Sequence, residues 1–138
     1  GTHMLDLLLS DGLKLNAIAT DDAHFKTKDY FGGWVNVKAE NNEPESLLTA
    51  LKKGYYYSSC GPEIENIEVT KNSVEVACSK VSSIVILGNG SASNVCHGKD
   101  ITSAKISLEP FFNSKWVRIV IIDKDQKRAW SNPIWLKE

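Results

Sequence analysis

The sequence has no Cys-x-x-Cys pair, no run of apolar residues long enough to cross a membrane, and no excess of one charge. Each absence excludes something. Only three cysteines occur, Cys60, Cys78 and Cys96, spaced 18 residues apart. Without a close pair they do not read as a structural zinc site, and an odd number fits a disulfide scaffold poorly. Three reduced thiols lean towards the cytoplasm. A formal net charge of -1 gives no basic stripe for a polyanion, so no nucleic-acid partner is expected. No membrane partner is expected either, because spanning the bilayer as a helix takes about 20 apolar residues. Low-complexity stretches and internal repeats are absent, and no signal peptide is expected.

What is there is ordinary globular material. With 138 residues, 42% hydrophobic and 24% charged, the chain can bury a core as one domain or two small ones. Gly1-Thr2-His3-Met4 reads as a cleavage-and-cloning remnant, so residues 1–4 and His3 carry no weight below.

Residues 5–62 read as mixed α/β. Leu5–Leu9 suits the end of a helix stopped by Gly12, and Leu15–Ala19 is a strand-like run that ends at Asp21-Asp22-Ala23-His24. After Gly32-Gly33 comes a second strand, Trp34–Ala39. Asn41–Gly54 is the clearest helix. Asn42 is the expected cap and Pro44 stands in the first turn, where its missing N–H costs little. Glu43 and Glu45 suit the positive end of the helix dipole, and Lys52 and Lys53 the negative end. Tyr55–Ser59 follows as an aromatic strand, with alternate rings expected in the core.

Residues 63–138 read as all β. Val74–Cys78 alternates with period two, and Ile84–Leu87 is a buried run before the turn signal Gly88-Asn89-Gly90. Ile106 and Leu108 mark another strand. Trp116–Ile122 sets Val117, Ile119 and Ile121 on one face, and Ala129–Leu136 closes the chain after a turn at Asp123–Gln126. Beyond turn chemistry, 88–100 has no assignment. The expected fold is α+β, with 63–138 a small antiparallel β-sandwich.

One constellation suggests chemistry. In Asp22-Ala23-His24 the two ligand-type side chains are two residues apart, so at a strand end they share a face. Carboxylate oxygen and imidazole nitrogen suit zinc, manganese or iron. The plain alternative is a solvated loop with a capping Asp. His97, in Val95-Cys96-His97-Gly98, reads as a surface or structural histidine, and Arg118 as a salt-bridged strand residue. Trp116, Trp130 and Trp135 read as packing, and nothing near Cys60 argues for a reactive thiol.

Leu5-Asp6-Leu7-Leu8-Leu9-Ser10-Asp11-Gly12, followed by Ala17-Ile18-Ala19-Thr20-Asp21-Asp22-Ala23-His24, resembles the late part of PHP-domain (polymerase and histidinol phosphatase) phosphoesterases. There a W-D-x-L-L-x-x-G helix leads into a strand ending in (S/D)-D-x-H. The resemblance continues through Ala50–Pro62 and returns in Val117-Arg118, Asp123 and Ala129-Trp130-Ser131-Asn132-Pro133-Ile134. It implies that residues 5–62 are the terminal β/α segment of a distorted β/α barrel. It further implies that Asp22 and His24 are metal ligands and that Asp21 orients one of them from outside the ligand shell. The parent activity it implies is hydrolysis of a small-molecule phosphoester by metal-activated water, with the substrate open among nucleotides, sugar phosphates and cyclic phosphodiesters. The sequence departs from the family in one respect. The early His-x-His, the Glu-associated motif and the further histidines are absent, so this chain is expected to be inactive by itself. Two alternatives stand beside it: residues 63–138 as a binding or interaction module without catalysis, or as a brace for the barrel. Barrel strands without neighbours expose edges, so self-association, or repacking of 5–62 against the sheet, is expected.

Overall fold

The computed structural model describes residues 2–21, 23–24, 28 and 30–136. Its elements are helices α1 (Thr2–Ser10) and α2 (Pro44–Lys53) and strands β1 (Trp34–Val37), β2 (Tyr56–Ser59), β3 (Ile64–Val69), β4 (Ser73–Gly88), β5 (Ser93–Ser107), β6 (Trp116–Ile122), β7 (Arg128–Ser131) and β8 (Ile134–Trp135). A short 3-10 turn, Glu109–Phe111, precedes β6. The chain is therefore α+β, built mainly from antiparallel strands.

Among the described residues all eight strands join one sheet, in the order β1-β2-β7-β6-β4-β3, with β5 added to β4 and β8 to β6. The sheet curls into a half-barrel, where the sequence reading expected a two-layer sandwich. The curl begins in β4. Val74, Val76 and Cys78 are buried, then Val81, then Ile84 and Ile86, so the alternation shifts phase twice. Register shifts against β5 fall at the same places, between Ala77 and Val81 and between Val81 and Ser83. Bulges bend a strand and increase its twist, which lets one long strand serve two parts of a curved sheet. The N-terminal part of β4 pairs with β3 and its C-terminal part with β6, while β5 runs along the other edge.

Three expectations change here. Val74–Cys78 and Ile84–Leu87 are one strand, and most of 88–100 is strand β5. Asn42 does not cap α2. The N-cap is Glu43, without a side-chain bond, while Asn41 accepts the Glu43 N–H at 3.0 Å and so shapes the approach to Pro44. Gly54 ends α2 as expected, with a left-handed φ of 76° that a side chain would oppose. The two charge preferences at the ends of α2 are met by Glu45 and by Lys52 and Lys53.

The inner face of the curl holds the core: Val74, Val76, Ile84, Ile86, Phe111 and the β6 residues Val117, Ile119 and Ile121. The alternate β6 residues, Trp116, Arg118 and Val120, are buried too. Strand β6 is thus covered on both faces, as its apolar residues on either side of Arg118 would have it. α1 lies on the outer face, with Leu9 buried and Asp6 held by Arg118. Strand β2 comes from before residue 62 and pairs with β7 from after it, so a single sheet spans that point in the sequence.

Candidate functional site

Residues 13–21 cross the outer face of the sheet as extended chain. Leu15–Ala19, read from sequence as a strand, joins no ladder, because β1 and β7 already occupy both edges of β2. Side chains satisfy its backbone instead. The Ala17 N–H donates to Asn132 Oδ1 at 3.2 Å and the Ala19 N–H donates to Ser58 Oγ at 3.0 Å. The Ser58 hydroxyl donates in turn to the Ala17 carbonyl at 3.3 Å. Asn132 uses its amide nitrogen as well, donating to the carbonyls of Gly54 and Tyr56, each at 3.1 Å. One asparagine therefore joins the end of β7, the start of β2 and the extended segment.

That segment brings Thr20 and Asp21 against residues 31–33, just ahead of β1. The Phe31 N–H donates to the Asp21 carboxylate, which closes the loop back onto the segment. Gly33 makes the close approach possible, since a Cβ there would stand 3.0 Å from the Thr20 carbonyl oxygen. Asp21 is half-buried and His24 exposed. Asp22 lies outside the described residues. Among the described residues no three His, Cys, Asp or Glu side chains gather into a metal-binding group. One bonded carboxylate and one exposed imidazole do not by themselves fit a catalytic metal, which needs several fixed ligands and an open position.

The other sequence candidates pack or pair. His97 stands exposed on β5, its Nδ1 2.8 Å from Ser83 Oγ on β4. Arg118, 3% exposed, donates to both oxygens of Asp6. Tyr56 is buried and Tyr55 exposed beside Lys53. Tyr57 packs against the core. Burial raises its phenol pKa, the Ile64 backbone bond opposes that, and the charges of Glu63 and Glu65 reinforce it. Trp116 is buried, and Trp130 and Trp135 are half-buried. The three cysteines are free thiols. Cys60 Sγ sits 3.3 Å from the Arg128 carbonyl and accepts the Arg128 N–H.

Between α1, residues 17–19 and the sheet lies a mostly apolar cavity of about 170 Å³, lined among others by Leu5, Ile18, Ser58, Arg118 and Trp130. A larger groove, about 980 Å³, opens at one end of the curl beside Val69, Leu108, Phe112, Ile134 and Trp135. The anchoring roles of Ser58 and Asn132 were missed in the sequence. Their bonds span 39 and 115 residues, and no local pattern reports such contacts. Among the described residues no helix is long and apolar enough to cross a membrane. Comparison with family models, curated proteins and solved structures gave no match for this chain.

Proposed function

We propose that the chain is the C-terminal part of a PHP-type metal-dependent phosphoesterase. Residues 5–62 would be the last β/α segment of its barrel and residues 63–138 its appended β domain. In the parent protein Asp22 and His24 would contribute two metal ligands and Asp21 would hold the loop beside them. The remaining ligands would come from upstream sequence, and this chain alone would be inactive.

The observation that supports this reading is convergence. The residues that carry the resemblance are scattered over the chain, yet they touch: Asp6 with Arg118, Ala17 with Asn132, and Ala19 with Ser58. A chance likeness in separate stretches has no reason to bring those stretches together. The contacts leave the segment that ends in Asp21 and His24 anchored at Ala17 and Ala19, a few residues before the ligands it would present.

The test compares this chain with the longer gene product the reading requires. Bound manganese, zinc and iron are measured on both, with hydrolysis of bis-p-nitrophenyl phosphate. The longer protein is expected to hold metal, to turn over the ester, and to lose both on Asp22→Ala or His24→Ala. This chain is expected to do neither. Stoichiometric metal and hydrolysis by this chain, or a longer protein indifferent to both substitutions, would overturn the reading.

A second reading, a binding module without catalysis, is favoured by one observation. The groove at the open end of the curl presents Phe112, 79% exposed, together with Trp135. Such a module would bind its ligand equally well with Asp22 and His24 replaced.

A further inference from the structure

Strand β3 lies at one end of the sheet and, among the described residues, pairs with β4 alone. The hairpin that joins the two strands decides which peptide groups of β3 are left over. The Thr70 N–H donates to the Ser73 carbonyl at 2.9 Å, so residues 70 and 73 form a hydrogen-bonded pair. Such pairs alternate along an antiparallel ladder. The next is Glu68 with Glu75, while Val69 and Ile67 stand opposite Val74 and Val76 without exchanging bonds. The N–H and C=O groups of Ile67 and Val69 therefore point out of the sheet, and their side chains pack against the core.

That edge faces open space. A cavity of about 570 Å³ runs beside Ile64 and Ile67, and the groove of about 980 Å³ runs beside Val69. Tyr57, Ile134 and Leu136 also line them, so the space is partly apolar. The edge of β5 is blunted by Lys99 and Asp100, with a positive φ of 50° at Asp100. Strand β3 has neither lysine nor proline, and its one irregularity lies between Ile64 and Asn66, ahead of the free groups.

Charge decides what fits there. On the outer face Glu68 stands directly opposite Glu75, and Glu75 directly opposite Lys105, whose Nζ is 3.4 Å from the Glu75 carboxylate. The row runs cation, anion, anion and stops. Like charges placed opposite each other cost stability. Among the described residues Glu68 has no ion pair; Lys38 and Lys71 line the two cavities, but neither pairs with it. A cation opposite Glu68 on an added strand completes the row. That position is a non-hydrogen-bonded pair of the new ladder, where side chains come closest. A second copy does not supply it, since β3 paired with itself about Glu68 sets acid against acid.

We propose that the free edge of β3 takes up an extended peptide as an additional antiparallel strand, with lysine or arginine opposite Glu68 and apolar residues opposite Ile67 and Val69. Main-chain bonds to Ile67 and Val69 supply affinity, the apolar side chains enter the grooves, and the cation gives selectivity. Strand β3 is not among the stretches that carry the phosphoesterase resemblance, so the proposal stands apart from that reading.

Fluorescence anisotropy tests it, with a short labelled peptide alternating valine and lysine as the probe and a counterpart carrying glutamate for lysine. The lysine peptide is expected to bind in the high-micromolar range and the glutamate peptide roughly fivefold or more weakly, as one cross-strand charge pair warrants. Glu68→Lys changes an exposed side chain and relieves the contact with Glu75, so the fold is expected to persist, checked by circular dichroism. It is expected to reverse the preference between the two peptides. Methylating the valine amides of the lysine peptide leaves the protein untouched and is expected to abolish binding, because those amides face the Ile67 and Val69 carbonyls. No binding at millimolar peptide, a preference indifferent to Glu68→Lys, or binding that survives amide methylation (adsorption by charge alone) would each overturn the proposal.

Discussion

Arg118 on β6 donates Nε to Asp6 Oδ1 at 2.7 Å and a terminal nitrogen to Oδ2 at 2.8 Å. The arginine side chain is 4% exposed and the carboxylate 28%. The fork geometry of guanidinium and carboxylate matches, so the pair fixes the position of α1 along the sheet.

Asp6→Ala leaves that guanidinium buried without its partner. The cost expected is about 2–4 kcal/mol, towards the lower side of a broken buried pair because Asp6 keeps some contact with water. Urea denaturation measures it. Asp6→Leu combined with Arg118→Met removes both charges and is expected to recover much of the loss. A double variant no more stable than Asp6→Ala would mean that the site cannot repack.

Asn132 offers a sharper test of the extended segment. Asn132→Asp keeps the acceptor for Ala17 but turns an oxygen towards the Gly54 and Tyr56 carbonyls. A carboxylate facing two acceptors is expected to cost about 2–3 kcal/mol. Asn132→Ala removes the acceptor itself and is expected to abolish hydrogen-exchange protection at Ala17. Ser58→Ala removes the partner of the Ala19 N–H at a smaller cost, about 1 kcal/mol. Protection at Ala17 that survives Asn132→Ala would show that another group holds the segment.

Gly88 ends β4 where the turn begins. A Cβ there would lie 2.6 Å from Phe111 Cδ1 and 2.8 Å from Ser114 Oγ. Phe111 and Ser114 are both buried, and Ser114 is bonded to the Trp116 carbonyl and to the Asn89 N–H. Neither can yield easily. Gly88→Ala is expected to destabilise by about 1–3 kcal/mol, as overpacking does. Adding Phe111→Leu is expected to relieve part of the strain, read as a non-additive double-mutant cycle.

The strands of the second half were legible because burial on one face writes a period of two into the sequence. Val117, Ile119 and Ile121 face the core as that period requires. The curl was not legible, because the bulges near Lys80 and Ser82 interrupt the period without any glycine or proline to mark them. Strand β5 was hidden for another reason: His97, Lys99, Asp100 and Lys105 are exposed, so little alternation remains to be read. The segment before Asp21 has strand composition but finds no ladder, and composition cannot tell a backbone partner from the side chains of Ser58 and Asn132. For the candidate site, the sequence located Asp21, Asp22 and His24 as a motif. It could not supply the bond from the Phe31 N–H to Asp21, which depends on a left-handed φ of 59° at Phe31 that few non-glycine residues adopt.

Cys78 gives the fold a dependence on pH. It lies in the core, 2% exposed, and burial pushes its thiol up to about 11 from 9.0, with the charge of Glu65 adding to the effect. Between those two values the unfolded chain ionises its thiol and the folded chain does not. The unfolded state then binds fewer protons, so stability falls as pH rises. The stabilising term is complete below pH 9 and is lost progressively up to about 11. The slope expected is at most about 1.4 kcal/mol per pH unit for one group. Tyr57 shifts upwards as well and works in the same sense. Cys78→Ala is expected to lower stability overall and to flatten this alkaline decline, leaving the Tyr57 part. Denaturation midpoints at pH 8, 9 and 10 separate the two effects, and an alkaline decline unchanged by Cys78→Ala would assign it elsewhere.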